Sequence, residues 1–229
     1  MARTAFEQEL QRLQDELLFF GAMVEKAVLD SVEILKRRDL DEARRLIAAD
    51  HELNKARSAI EYDALVLIAK QQPMAVDLRL LAAVLEIATE LERMGDYAKG
   101  IGRITLKMGK EPFVKPLIDI PRMAVKACDM LRRALQAFID RDAETARAIP
   151  VEDDEVDALY DQIYRELVTY IIADPKLIER ASYLMWVAHN LERVADRVVN
   201  ICERIIFTVT GEIIEMDGQE VEPPAPADS

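Results

Sequence analysis

Glu92 and Asp96 stand four residues apart, and Glu192 and Asp196 repeat the pair one hundred positions later. On a helix this spacing stacks both carboxylates on one face, with Cβ atoms about 5–6 Å apart. Like charges so placed repel each other and weaken a helix unless cations compensate them. The segments before them are apolar: Leu80-Leu-Ala-Ala-Val-Leu85 and Tyr183-Leu-Met-Trp-Val-Ala188. Leu85 lies one heptad before Glu92 and Met185 one heptad before Glu192, so the acids prolong a core-like stripe. Asp50 and Asn54, also four apart, correspond to Asp153 and Asp157 in the second half. If the helices that carry them run antiparallel to the helices of the first pairs, each half of the chain presents a cluster of oxygen donors.

Oxygen donors without cysteine suit magnesium, manganese, calcium or iron better than structural zinc. The plainer reading pairs these acids with Arg93, Arg193 and Arg197 in ordinary ion pairs, the usual fate of helix charges. Duplication of the whole hexapeptide, Leu91-Glu-Arg-Met-Gly-Asp96 and Leu191-Glu-Arg-Val-Ala-Asp196, favours metal. His189, one turn before Glu192, either assists or is packed and hydrogen-bonded; His51 reads as exposed. The Glu-x-x-His signature of di-iron carboxylate enzymes is absent, because Ala48 precedes His51 and Trp186 precedes His189 by three. A glycine-rich phosphate loop, a nucleophile elbow and a His-Glu-x-x-His zinc motif are also missing, so nothing supports enzymatic activity. Trp186 and the methionines read as core fillers.

The elements that position these residues are helices. Aromatic residues make up only 6% of the chain and glycines number seven, too few for an all-β protein with its many tight turns. The net charge of −13 opposes binding to nucleic acid and to anionic lipid. Cys128 and Cys202 fall inside apolar helical patterns and read as buried, reduced thiols. The opening residues lack the apolar stretch of a signal peptide and no run reaches the length of a membrane span, so a soluble, cytoplasmic protein is expected.

Apolar periodicity, caps and prolines predict six helices: one at about 6–36, a second that follows the break and cap at Asp39 and Asp41 and runs to about 71, and four more at about 76–108, 118–140, 142–173 and 176–209. Arg38-Asp-Leu-Asp-Glu-Ala-Arg44 resembles Arg141-Asp-Ala-Glu-Thr-Ala-Arg147, and Pro73 answers Pro175, which makes the chain a tandem duplication. The expected architecture is all-α: two pseudo-symmetric three-helix bundles, residues 1–109 and 110–210, followed by a disordered acidic tail, 211–229. Pro150 falls inside the fifth helix, where a kink or restart is expected.

These residues resemble the PhoU family of bacterial and archaeal phosphate-uptake regulators. The likeness rests on both hexapeptides, on Asn200-Ile-Cys-Glu203, and on Ile68-Ala-Lys-Gln-Gln-Pro73 followed by Asp77-Leu-Arg79. It implies metal sites at Glu92 and Asp96 and at Glu192 and Asp196, supported by Asp50, Asn54, Asp153 and Asp157. The implied cofactors are metal cations, multinuclear iron among them, with Mg, Mn or Zn as further options. Asn54 departs from a strictly acidic pattern, which points to a weaker or differently charged first site. The resemblance also implies negative regulation of phosphate uptake by an adaptor between the ATPase of a phosphate ABC transporter and a sensor histidine kinase, acting as a homodimer. The alternatives are a metal-independent helical scaffold and a metal-dependent oxidase or hydrolase.

Overall fold

The computed structural model describes residues 2–216, with side chains from residue 5 onward. Among these residues every regular element is helical: α1 (Ala2–Arg37), α2 (Leu40–Gln71), α3 (Val76–Met108), α4 (Asp119–Asp140), α5 (Ala143–Ala148), α6 (Asp153–Ala173) and α7 (Ile178–Thr210). A 3-10 turn, Ile149–Glu152, joins α5 to α6, so these three pieces form the expected fifth helix. Pro150 opens that turn; it cannot donate to an α-helical ladder, and the chain restarts as α-helix at Asp153.

The duplication is visible in the backbone. Arg38 and Arg141 both adopt left-handed conformations, with φ of 53° and 55°. The aspartate that follows each one caps the next helix. Asp39 accepts hydrogen bonds from the backbone N–H groups of Asp41 and Glu42, and Asp142 from those of Glu144 and Thr145. Such a cap satisfies N–H groups that a helix start leaves without partners.

In the first half α1, α2 and α3 pack on one another; in the second half α4, α5 and α6 pack around α7. The halves meet chiefly where α3 runs along α7, and again where α1 meets α4. The buried residues of both halves form one continuous apolar cluster. The short α2–α3 connection makes these helices antiparallel, which brings the middle of α2 opposite the acidic motif of α3. The same logic holds for α6 and α7.

Residues 211–216, the start of the expected disordered tail, have no regular structure but turn back on α7. The backbone N–H of Met216 donates to Glu203 Oε1 at 2.6 Å, and Ile214 and Met216 rest against the core. Residues 217–229 of that tail lie outside the described residues. Cys128 and Cys202 are buried and free, and burial pushes both thiols up to about 12. Trp186 is not a core residue as expected: it is 60% exposed, and Met74 is exposed as well.

Candidate functional site

The first acidic cluster sits between α2 and α3. Asp50 is buried, and its Oδ2 accepts from Lys99 Nζ at 2.6 Å and from Asn54 Nδ2 at 3.1 Å. Lys99 Nζ also lies 3.4 Å from Asp96 Oδ1. The hydrogen bond to Asp50 is the main reason the ammonium is held above its ordinary pKa. Glu92, partly buried, is pushed up by burial first and then by Asp96 and Asp50, against the pull of Arg57 and Arg93. Next to this cluster a cavity of about 260 Å³ opens among α1, α2 and α3, walled by small residues such as Ala27, Ala49 and Ala98. Gly95 belongs to the same wall, and a Cβ there would come within 2.7 Å of Leu53 Cδ1.

The second cluster sits between α6 and α7 and is more enclosed, with the Glu192 and Asp196 side chains 21% and 15% exposed. Glu192 is pushed up to about 7, first by burial, then by Asp196 and Asp157, with Arg193 and Arg197 opposing. Its Oε2 is buried and accepts no hydrogen bond; His189 Nδ1 is 3.1 Å away but not aligned to donate. Arg193 Nη1 pairs with Asp196 Oδ2 at 2.6 Å, and its charge is supported mainly by a hydrogen bond to Tyr97 of α3. Asp157 thus reaches the pair from α6, and Asp153 stands one turn earlier on the same helix. Tyr160, Trp186 and His189 crowd beside it, with His189 ring contacts of 6.0 Å to Trp186 and 6.2 Å to Tyr160. His51 is exposed.

Glu92 of the first pair and Glu192 of the second therefore each face an acid of the neighbouring helix, Asp50 and Asp157, whereas the Asp96 side chain is 54% exposed. Among the described residues, however, no three His, Cys, Asp or Glu side chains converge as a ready cage for an ion. The second cluster fits a cation better than the first. A buried carboxylate oxygen without a hydrogen bond and an acid pushed up by burial and then by neighbouring acids are both relieved by positive charge. In the first cluster Lys99 already supplies that charge to Asp50 and Asp96.

Two functional groups escaped the reading of the sequence. Lys99 follows Asp96 by three, a recognisable helix pairing, but only the fold shows that it also reaches Asp50. Glu90 is buried on α3 and joins the two halves. Its Oε1 pairs with Arg93 at 2.7 Å, while its Oε2 meets Arg197 at 3.4 Å and Asn200 at 3.3 Å on α7. Of the arginines expected to pair with the duplicated acids, only Arg193 forms a close pair with one; Arg93 and Arg197 turn to Glu90.

Two copies of the PhoU domain match the chain, at residues 17–105 and 120–205, one for each half. The chain belongs to the PhoU family. A relative from Caulobacter vibrioides named phosphate-specific transport system accessory protein PhoU homolog is 39% identical over 209 residues, 91% of each chain. The phosphate-specific transport system accessory protein PhoU of Escherichia coli strain K12 is 34% identical over 207 residues, 90% of this chain and 86% of that one. The crystal structure of the phosphate transport system regulatory protein PhoU from Streptococcus pneumoniae superimposes with a TM-score of 0.86 at 29% identity, over 92% of this chain and 100% of that one. These names describe accessory and regulatory proteins rather than enzymes. Among the described residues, no helix is long and apolar enough to cross a membrane.

Proposed function

We propose that this protein is an accessory protein of a phosphate transport system, a cytoplasmic adaptor that restrains phosphate uptake and signalling. In this reading it links the ATPase of a phosphate ABC transporter to a sensor histidine kinase and works as a homodimer. The observation that carries the reading is the family match across both halves, with relatives named for phosphate transport over nearly the full chain. A helical bundle supports many roles, so the fold alone would not single out this one.

Metal enters this proposal at the second cluster, where Glu192, Asp196 and Asp157 would hold a cation and Asp153 would support it. The bound ion would supply positive charge that fixes α6 against α7. Chain residues do the rest: Arg193 orients Asp196 and ties the cluster to Tyr97 across the boundary between halves.

Deleting the gene tests the regulatory role. Phosphate uptake in phosphate-rich medium should rise and phosphate-responsive genes should be expressed when they are normally silent. Unchanged uptake and expression in the deletion strain would refute the reading. Elemental analysis of purified protein, beside Glu192→Gln/Asp196→Asn, tests the metal: ions retained by that variant rule out the site assignment.

A further inference from the structure

The first acidic cluster carries an inference because the chain's own ammonium group occupies it. Lys99 Nζ lies between carboxylates of two helices, 2.6 Å from Asp50 Oδ2 and 3.4 Å from Asp96 Oδ1. Both principal partners are withdrawn from solvent, with the Lys99 side chain 21% exposed and that of Asp50 9%. Asp50 Oδ2 accepts a further hydrogen bond from Asn54, so this oxygen is already committed to two donors.

The two halves differ at this point. One hundred positions beyond Lys99, the offset that relates Asp96 to Asp196, stands Val199, which is buried. No ammonium can enter the second cluster from there. The acids differ in the same sense: Asn54 of the first half corresponds to Asp157 of the second, so the first cluster has one carboxylate fewer. The first cluster pairs a smaller negative charge with an ammonium shared by two helices; in the second the close side-chain cation, Arg193, is taken by Asp196, and the buried Glu192 Oε2 accepts no hydrogen bond.

We infer that Lys99 stands in for the cation at the first acidic cluster, so that this half is held by its own ammonium while the second half responds to an external ion. The part that concerns the external ion rests on the metal reading given under Proposed function; the part that concerns Lys99 does not. An ammonium is a compact charge with three donors, which satisfies carboxylates of two helices without exchange with solution. A divalent ion would have to displace it before it could reach the buried oxygen of Asp50.

The test uses full-length wild type, Lys99→Met, Asp50→Asn and the double variant. In chelator-treated protein, Lys99→Met should lower the thermal midpoint by several degrees, because it leaves a buried carboxylate without its cation. Adding Asp50→Asn should recover most of that loss, a non-additivity that shows the ammonium and the carboxylate compensate each other; the Mn2+ titration separates a cation substitute from an ordinary ion pair. On titration with Mn2+, wild type and Asp50→Asn should bind equally, Glu192→Gln/Asp196→Asn should bind none, and Lys99→Met should gain binding that depends on Asp50. Additive stability effects in the metal-free proteins overturn the inference. So does Mn2+ that wild type binds and Asp50→Asn loses, since the ion would then be displacing the ammonium. Wild type that binds no Mn2+ yet keeps the Lys99–Asp50 coupling supports the role of Lys99 and removes metal from the proposed function instead.

Discussion

Glu192→Gln should stabilise the metal-free protein at neutral and alkaline pH. Glu192 titrates at about 7 in the fold against an ordinary 4.5, because burial and the charges of Asp196 and Asp157 disfavour its ionised form. The folded state therefore holds the proton more tightly than the unfolded chain. Stability from this group is fully present below pH 4.5 and is lost as pH rises through about 7. The rise corresponds to about 3 kcal/mol at about 1.4 kcal/mol per pH unit. The side chain is 21% exposed, so most of that cost should be felt. Glutamine keeps the shape and removes the charge.

In chelator at pH 8 the variant should unfold at a midpoint about 6–12 °C above wild type, at about 2–4 °C per kcal/mol for a chain of this size. At pH 4 the two should coincide. Scanning calorimetry across that range reads the difference directly. Adding a binding cation should reverse the order, raising the midpoint of wild type and leaving Glu192→Gln unmoved. Equal midpoints at pH 8 without metal would show that solvent or His189 already compensates Glu192, and the case for a cation there would lose its physical basis.

Further outcomes follow from other buried groups. Glu90→Ala should cost about 2–3 kcal/mol, less than the about 3–5 kcal/mol of a close buried pair, because its contacts to Arg197 and Asn200 are long at 3.4 and 3.3 Å. Denaturant unfolding measures this, and a loss under about 0.5 kcal/mol, typical of surface changes, would remove Glu90 as a joint between the halves. Cys128 and Cys202, buried and pushed up to about 12, should resist a thiol reagent at pH 8 and react fully in denaturant. Rapid labelling of the native protein would contradict their burial.

Much of this architecture could be read from the letters because the signals are local. Asp39 and Asp142 announce helix starts through short side chains that cap their own backbone, and Pro150 breaks the helix wherever the chain goes next. The heptad offsets of Leu85 and Met185 point to the helix faces on which Glu92 and Glu192 are partly buried, but not to the exposure of Asp96. What stayed hidden depends on which atoms meet across helices. Helical spacing places Lys99 beside Asp96 but does not say that its ammonium crosses to α2. Glu90 looks like one more surface acid until α7 brings Arg197 and Asn200 to it. Trp186 reads as core because a large apolar side chain is usually buried, whereas here it lines an open groove with Tyr160, Tyr164 and His189. The return of residues 211–216 depends on the buried carboxylate of Glu203 accepting the Met216 N–H, a contact that local sequence does not encode.

The duplication gives these differences their meaning. Two copies of one helical unit begin with the same acidic hexapeptide, and acids drawn toward a core are relieved by positive charge. Sequence divergence has met that need differently in the two halves, with a lysine placed between helices in one and a more acidic, more enclosed cluster in the other. On the metal reading proposed above, such asymmetry would couple the second half alone to its surroundings. An ion entering or leaving the second cluster would change the charge beside Arg193, and through its hydrogen bond to Tyr97 that change reaches α3 of the first half. The α3–α7 boundary, bridged by Glu90 through Arg197 and Asn200, is then where such occupancy would alter how the two bundles meet.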